Sequence, residues 1–206
     1  FHTDAAQTVG KIPVNTQKLN TGMMTIVSHK FYGPKGVGAL YIRKDIAISP
    51  ILFGAGHERG LRPGTENVYG IVGIGKACEL ARAYISKRVS HSSKLAELLY
   101  GSLKKKVHDL KLNGHETDRL PNTLNLCFPG MDSHELLERI KDRIAASSGS
   151  ACHSGIKKPS PVLTAMGVTD ADALSSIRFS AGKDNTEDEV KEAAEIIVNA
   201  AEGLRQ

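Results

Sequence analysis

The strongest constraint on the fold is a long stretch of helical periodicity that begins at Val68. Apolar residues recur there at spacings that alternate between three and four, which is the period of an α-helix. They are Ile71, Ile74, Cys78, Ala81 and Ile85, followed by Leu95, Leu98, Leu99, Leu103 and Val107. The pattern predicts one long or kinked helix that connects two parts of the chain. We place the domain boundary within it, near residues 87–93.

Short apolar runs and a glycine-rich loop precede the helix. Residues 23–27 and 39–42 predict two buried strands on either side of a glycine-rich turn, and we expect two short strands with turns between that turn and about Phe53. Residues 54–67 then form a long, charged loop that is rich in glycine. Loops of this length are uncommon in compact domains and often carry function.

The part that follows the helix alternates strands and helices. The predicted elements are strands over residues 123–128 and 177–180, a short helix over 160–166, and two helices that begin with capping boxes at Asp132 with Glu135 and at Thr186 with Glu189. The last helix carries an apolar face formed by Val190, Ala194, Ile197, Ala201 and Leu204. Together these patterns predict an α/β first part and a smaller α+β second part.

Composition and charge exclude few classes of function. The chain has 206 residues with a formal net charge of +5, which permits anionic ligands without selecting one. No apolar run approaches the roughly 20 residues that a membrane-spanning helix needs. The only basic run, residues 104–106, has no interleaved aromatic residues, so we expect a solvated helix face and no direct contact with nucleic acid. Because the first residue is Phe1, we expect a piece of a longer chain or a processed product.

The chain has three cysteines at wide gaps, which argues against a disulfide framework and against a clustered zinc site, so we predict no metal. This usage fits a reducing compartment, either cytoplasmic or an organellar matrix in a eukaryote. Cys78 and Cys127 lie in apolar patterns and are predicted to be buried packing residues. Cys152 differs, because it lies in a small, polar segment, residues 147–155, where a thiol can be exposed and can move.

One lysine stands out before the glycine-rich turn. Lys30 lies between polar and aromatic neighbours in the segment Val-Ser-His-Lys-Phe-Tyr-Gly. The gap from Gly33 to Gly38 is that of a phosphate-binding P-loop, but Ala39 stands where the lysine of that motif belongs. Three readings remain: a lysine that bonds a carbonyl compound covalently, a general base, or a structural or solvated lysine.

Four pieces of sequence occur in one order along the chain. The first is Asp4 with Gln7, which reads either as the end of a strand that delivers polar groups to a site or as an ordinary loop. His-Lys follows, then Glu-Arg-Gly-Leu-Arg-Pro-Gly-Thr-Glu-Asn, then Ser-Gly-Ser-Ala-Cys-His-Ser with Ser-Ile-Arg-Phe-Ser after it. The set resembles the pyridoxal-phosphate-dependent cysteine desulfurases and the related selenocysteine lyases. The resemblance runs from the first residue to the last helix.

The resemblance implies fold type I, the aspartate-aminotransferase-like α/β fold of pyridoxal-phosphate (PLP) dependent transferases. Residues 1–90 would be the second half of the large PLP-binding domain with its connector helix. Residues 91–206 would be the small α+β domain with the catalytic-cysteine loop. The chain would then be the carboxy-terminal half of such an enzyme, without the amino-terminal half.

The resemblance also implies which residues hold the cofactor. Lys30 matches the lysine that bonds PLP, and Asp4 matches the partner of its pyridine nitrogen. Gln7 is expected to bond the ring hydroxyl. His29 is expected to bind the phosphate and to belong to the catalytic group. Ser28 is a second phosphate ligand, although many relatives place this serine one residue earlier, where the chain has valine.

The remaining implied roles concern the substrate and the partners. Thr65 resembles the residue that reaches the cofactor phosphate of the neighbouring subunit, which implies a homodimer. Arg178 matches the arginine that binds the substrate carboxylate, whereas alone it would read as a surface salt-bridge residue. Cys152 would take sulfur from L-cysteine as a persulfide and pass it to an acceptor such as an iron–sulfur scaffold or a tRNA-modifying protein.

Other functions stay open at this point. A selenocysteine lyase acting on L-selenocysteine fits the flanks Thr-Ile-Val-Ser-His-Lys and Pro-Ser-Pro-Val-Leu, and His153 stands where many desulfurases carry threonine. A non-catalytic fragment or interaction module is the alternative of another class, because the resemblance leaves out half of the enzyme. A nucleic-acid-binding role rests on charge alone.

Overall fold

A computed structural model describes residues 1–148 and 158–205 of the chain. It divides the chain into two compact units, Phe1–Lys87 and Arg88–Gln206. The second unit is the longer one, whereas the sequence predicted a smaller second part. The reason is that the second unit contains a complete sheet with its helices as well as the second half of the connector helix. The assignment of the two ranges to the domains of a fold type I enzyme stays a prediction.

The first unit contains a three-stranded sheet. Its strands are β1 (His2–Asp4), β2 (Met23–Val27) and β3 (Gly38–Ile42), in the order β1-β2-β3. β1 runs parallel to β2, and β3 runs antiparallel to it. The predicted strand over residues 23–27 is confirmed. The predicted burial of residues 39–42 is wrong, because β3 is an edge strand and most of its residues are exposed. Residues 43–53 form turns and contain no second strand.

The connector helix is continuous, as the periodicity predicted. It is α1 (Val68–Lys106), and it begins at the residue where the helical pattern starts. In the first unit a small core joins its residues Ile74, Ala77 and Ala81 to Phe31. The predicted burial of Cys78 is wrong, since the buried stripe runs through positions 74, 77 and 81 and leaves this thiol exposed.

The second unit is an antiparallel sheet packed with helices. Its elements are β4 (Lys111–Leu112), β5 (Thr123–Cys127), α2 (Ser133–Ile140), α3 (Pro161–Ala165), α4 (Asp170–Leu174), β6 (Ser176–Ser180) and α5 (Glu187–Arg205). The strand order is β4-β5-β6. The sequence predicted all of these except β4 and α4, which are too short to show a period.

Both predicted helix starts are confirmed by capping bonds. The Asp132 carboxylate accepts a hydrogen bond of 2.8 Å from the N–H of His134 at the start of α2. At the start of α5 the Thr186 N–H donates to the Glu189 carboxylate at 2.8 Å, and the Glu189 N–H donates to the Thr186 hydroxyl at 3.2 Å. This reciprocal pair is a complete capping box.

The core of the second unit lies between the sheet and the helices. It joins the end of α1 to β5, β6, α2 and α5 through fourteen buried residues. Phe128 and Phe179 meet edge to face within it, with ring centroids 6.4 Å apart. Cys127 is fully buried, as predicted. Among the described residues, no helix combines the length and the apolar character that crossing a membrane requires.

Candidate functional site

Asp4 and Lys30 follow neighbouring strands of the first unit. β1 ends at Asp4, whose Oδ1 accepts a hydrogen bond of 2.9 Å from the N–H of Ala6, and this bond fixes the carboxylate at the strand end. β2 ends at Val27 and leads directly into the short 3₁₀ turn Ser28–Phe31 that carries Lys30. Since β1 and β2 are parallel, their carboxyl ends lie at the same edge of the sheet. This edge is where ligands bind in open α/β sheets.

The 3₁₀ turn exposes two of its residues and buries two. Ser28 and Phe31 are buried at 0% and 1% exposure, and His29 and Lys30 between them face solvent. The turn ends at Tyr32, which adopts a left-handed conformation with φ of 75°. Neither the His29 nor the Lys30 side chain has a partner within the part of the chain that the structure describes. Both are therefore available to a ligand.

Small residues hold this turn against α1. A Cβ atom added at Gly33 would lie 2.1 Å from Ser28 Oγ and 3.1 Å from Ala77 Cβ. A Cβ atom added at Gly73 of α1 would lie 2.6 Å from Cγ of Pro34. Side chains at these two glycines would push the turn away from the helix. The close approach therefore depends on glycine at both positions.

Ser28 is enclosed within the turn that carries Lys30. Its Oγ is enclosed and faces Gly33, and it has no hydrogen-bond partner among the described residues. The predicted role of Ser28 as a phosphate ligand requires its hydroxyl to become accessible, and it stays a prediction.

Gln7 is exposed but already engaged. Its Oε1 accepts a hydrogen bond of 2.5 Å from Lys11 Nζ. The predicted bond from Gln7 to a ring hydroxyl therefore has to compete with Lys11 for the oxygen, or use the amide nitrogen. That role stays a prediction.

Thr65 is exposed in the long loop before α1. Arg62, a residue that the sequence analysis did not single out, makes several contacts within this loop. Arg62 Nη1 donates to the carbonyl oxygens of Pro63 at 3.0 Å and Gly64 at 2.8 Å. Its Nη2 lies 3.4 Å from the Glu58 carboxylate. The loop contains two arginines, Arg59 and Arg62, and spacing alone does not tell which of them folds back onto the backbone.

Arg178 lies in the middle of β6 in the second unit. Its N–H donates to the carbonyl of Ser147 at 2.7 Å, and the Ser147 N–H donates to the Arg178 carbonyl at 3.2 Å. On the other side the strand pairs with β5, where Arg178 faces Asn125. The backbone is thus held from both sides while the side chain is exposed. Ser147 precedes the segment of Cys152 and His153, both of which lie outside the described residues.

The two cysteines that the structure describes are poor nucleophiles at neutral pH. Burial, followed by the carboxylate of Asp172, raises the pKa of the Cys127 thiol to about 11. The thiol donates to Asp172 Oδ1 at 3.5 Å, and Lys111, 2.9 Å from Oδ2, is the main cause of a lowered pKa at Asp172. Partial burial also raises the pKa of the Cys78 thiol. Both groups therefore stay protonated, and Cys152 remains the candidate nucleophile.

The exposed groups of the first unit match the chemistry of the cofactor implied by the resemblance. Asp4 offers a carboxylate for a pyridine nitrogen, His29 an imidazole for a phosphate, and Lys30 an amine for a carbonyl. The described donors and acceptors therefore fit PLP. Arg178 belongs to the second unit.

Comparisons with known proteins point in one direction. A family model for aminotransferase class V matches residues 1–192. The chain is 44% identical over 206 residues to a cysteine desulfurase of Trichormus azollae, covering 100% of this chain and 52% of that protein. It is 44% identical over 208 residues to a mitochondrial cysteine desulfurase of Arabidopsis thaliana, of which it covers 46%.

Solved structures agree with these sequence matches. A NifS-like protein is 39% identical with a TM-score of 0.87, and the match covers 98% of this chain and 52% of that one. A NifS-like protein from Rickettsia africae is 35% identical with a TM-score of 0.86, and the match covers 100% of this chain and 53% of that one. The chain spans about half the length of the curated relatives it matches. Its placement in the carboxy-terminal half stays a prediction.

Proposed function

Because the chain belongs to the class-V aminotransferase family, we propose that it forms part of a cysteine desulfurase that converts L-cysteine to L-alanine and transfers the sulfur to an enzyme cysteine. The fold is PLP-dependent fold type I, as the sequence predicted. The family depends on PLP. One observation carries the proposal: parallel strands bring Asp4 and the Lys30 turn to the same sheet edge, in a chain 44% identical throughout to cysteine desulfurases.

In this proposal the first unit holds the cofactor. Lys30 bonds PLP covalently, Asp4 pairs with its pyridine nitrogen, and His29 binds its phosphate. Gln7 is the candidate for the ring hydroxyl, and Thr65 reaches the phosphate of a neighbouring subunit. When bound, PLP supplies an electron sink next to the substrate α-carbon.

Three residues of the chain act on the substrate. The guanidinium of Arg178 offers two parallel donors to the L-cysteine carboxylate and orients it. The amine of Lys30 moves protons at the α-carbon. The thiolate of Cys152 would attack the substrate sulfur, so that an S–S bond forms as the Cβ–S bond breaks. The electron pair of the broken bond stays with the carbon skeleton, which takes up a proton and leaves as alanine.

The partners follow from the same proposal. We expect a homodimer, and an acceptor such as an iron–sulfur scaffold or a tRNA-modifying protein that receives sulfur from Cys152. We expect the protein to work in a reducing compartment, cytoplasmic or an organellar matrix in a eukaryote, because its three widely spaced cysteines do not form a disulfide framework. L-Selenocysteine is the alternative substrate, favoured by His153 and by the Pro-Ser-Pro-Val-Leu segment. Turnover of the two amino acids by one preparation distinguishes the two substrates.

The first experiment is borohydride reduction of the purified protein with PLP, both alone and together with the remaining half of the enzyme, followed by peptide mass spectrometry. We expect a pyridoxyl group on Lys30 and none in Lys30→Ala. A protein that takes up PLP without an adduct on Lys30 would refute the role of this lysine. A protein that takes up no PLP even when the remaining half of the enzyme is supplied would refute the proposed function of this chain.

A second experiment tests the proposed sulfur acceptor with matched cysteine variants. Cys152→Ala should lose sulfur transfer from L-cysteine by at least about a hundredfold, since it removes the nucleophile of a covalent step. Cys78→Ala should keep the parent rate, because that thiol is protonated and lies on the surface of α1. Sulfur transfer at the parent rate by Cys152→Ala would contradict the persulfide role.

A further inference from the structure

The loop that carries Thr65 lacks an apolar core of its own. Most residues between positions 54 and 67 are exposed. Its backbone includes left-handed residues that are not glycine, Glu58 with φ of 49° and Arg59 with φ of 60°, and left-handed Gly60 and Gly64. Each such non-glycine residue costs roughly 1 to 2 kcal/mol. Specific polar contacts must therefore hold the loop in one conformation.

The Arg62 side chain supplies these contacts. A single nitrogen, Nη1, bonds the carbonyls of the two residues directly before Thr65, Pro63 and Gly64. The other terminal nitrogen reaches the Glu58 carboxylate at the opposite end of the turn. One guanidinium thus joins both ends of the segment 58–64. Its planar fork suits three acceptors at fixed positions, which a lysine ammonium on a flexible stem does not match.

We propose that Arg62 is a positioning residue, which fixes the loop so that Thr65 is presented to the cofactor phosphate. The inference rests on the proposed function, because it takes the Thr65 role from that proposal. Arg62 itself does not touch the cofactor in this assignment. Its effect on binding should therefore pass through Thr65 and should depend on the phosphate group of the ligand.

The same loop provides a matched control. Arg59 is exposed, and it has no hydrogen bond or ion pair with any residue in the described ranges. Arg59→Gln removes the same charge as Arg62→Gln from the same loop. The two variants therefore separate the loss of a positive charge from the loss of the three contacts.

The test compares PLP with pyridoxal, which lacks the phosphate, by absorbance titration of the preparation that takes up PLP in the borohydride experiment. We expect Arg62→Gln to weaken PLP binding by about tenfold and to change pyridoxal binding by less than about twofold. Arg62→Lys should recover only part of the loss, and Arg59→Gln should bind both ligands like the parent. An equal loss for the two ligands would overturn the assignment, because it indicates general damage to the site.

A double-mutant cycle with Thr65→Ala adds an independent readout. If Arg62 acts through Thr65, Arg62→Gln should cost little more PLP affinity once Thr65 is alanine. Full additivity would overturn the positioning role even if both single variants bind PLP weakly. A parent protein that binds no PLP even with the remaining half of the enzyme present would overturn the proposed function as well, whereas a parent that binds PLP with additive variants overturns this inference alone.

Discussion

The two units use their apolar residues differently. The second unit buries fourteen in one cluster, whereas the cluster of the first unit has four, Phe31, Ile74, Ala77 and Ala81. Within residues 1–148 and 158–205, fifteen large apolar residues are exposed. Thirteen of them lie in the first unit, and the other two, Val162 and Met166, lie in the second. The second unit therefore contains the apolar burial that a domain needs, and the first does not.

This difference shows where the chain depends on other polypeptide. Exposed apolar patches on this scale mark surfaces that bind something. The chain spans about half the length of its relatives, so we expect the rest of the enzyme to cover the first unit. The proposed cofactor residues, Asp4, His29 and Lys30, lie in this dependent unit. Cofactor binding is therefore expected to require more polypeptide than the folding of the second unit does.

The largest expected effect tests whether the second unit is stabilised by its own apolar core. Phe128 is fully buried and packs edge to face on Phe179, so Phe128→Ala should lower the free energy of unfolding by about 3 to 5 kcal/mol. Hydrogen exchange read by mass spectrometry should show faster exchange in β5 and α5. Amides of β1 and β2 should change little.

Phe31→Ala is the matched variant for the first unit, since Phe31 is 1% exposed. It should speed exchange in β2 and in the first half of α1 and leave β5 unchanged. If each variant sped exchange equally throughout the chain, the two units would unfold as one, and the comparison would fail.

A smaller effect tests the close packing that substitutes for a large core in the first unit. Gly73→Ala would place a Cβ 2.6 Å from the rigid Pro34 ring and should destabilise the protein by about 1 to 3 kcal/mol. Gly75 lies two residues further along α1 with no atom within 4 Å of an added Cβ. Gly75→Ala should therefore stabilise the helix by up to about 1 kcal/mol. Thermal unfolding measures both changes. If the two substitutions changed the stability in the same direction, the role of Gly73 would be contradicted.

Sequence patterns predicted those parts of the fold that depend on local periods and caps. The start of α1 at Val68 and the capping box of Thr186 and Glu189 follow from neighbouring residues alone. The exposure of Cys78 could not be predicted this way, because it depends on which stripe of α1 the rest of the unit covers, and that stripe runs through Ile74, Ala77 and Ala81. β3 likewise has a buried-strand pattern but lies at the sheet edge.

The site shows the same limit. Asp4 and Lys30 were found through their motifs, and the parallel pairing of β1 with β2 explains why the motifs go together. The enclosed hydroxyl of Ser28 and the contacts of Arg62 depend on side-chain directions in turns, which no spacing encodes. Motifs therefore identify the groups that do chemistry more readily than the groups that position them.

The last prediction compares the described cysteines of the two units through pH. The pKa of buried Cys127 is about 11 in the folded chain, against an ordinary value of 9.0. Between these values the unfolded chain releases the thiol proton and the folded chain keeps it, so the free energy of unfolding falls as pH rises from about 9 towards 11. The loss should reach about 1 to 2 kcal/mol, and it should be absent in Cys127→Ala.

Denaturant titrations of the parent and of Cys127→Ala at about pH 8 and about pH 10 measure this loss, because the difference between the two proteins isolates the contribution of the Cys127 thiol. Exposed Cys78 is the comparison: its pKa is also raised by partial burial, but of the two thiols only Cys127 is fully buried, so Cys78→Ala should lose less of the parent's pH dependence than Cys127→Ala. If Cys127→Ala kept the full dependence, burial in the core of the second unit would not be what holds this thiol neutral.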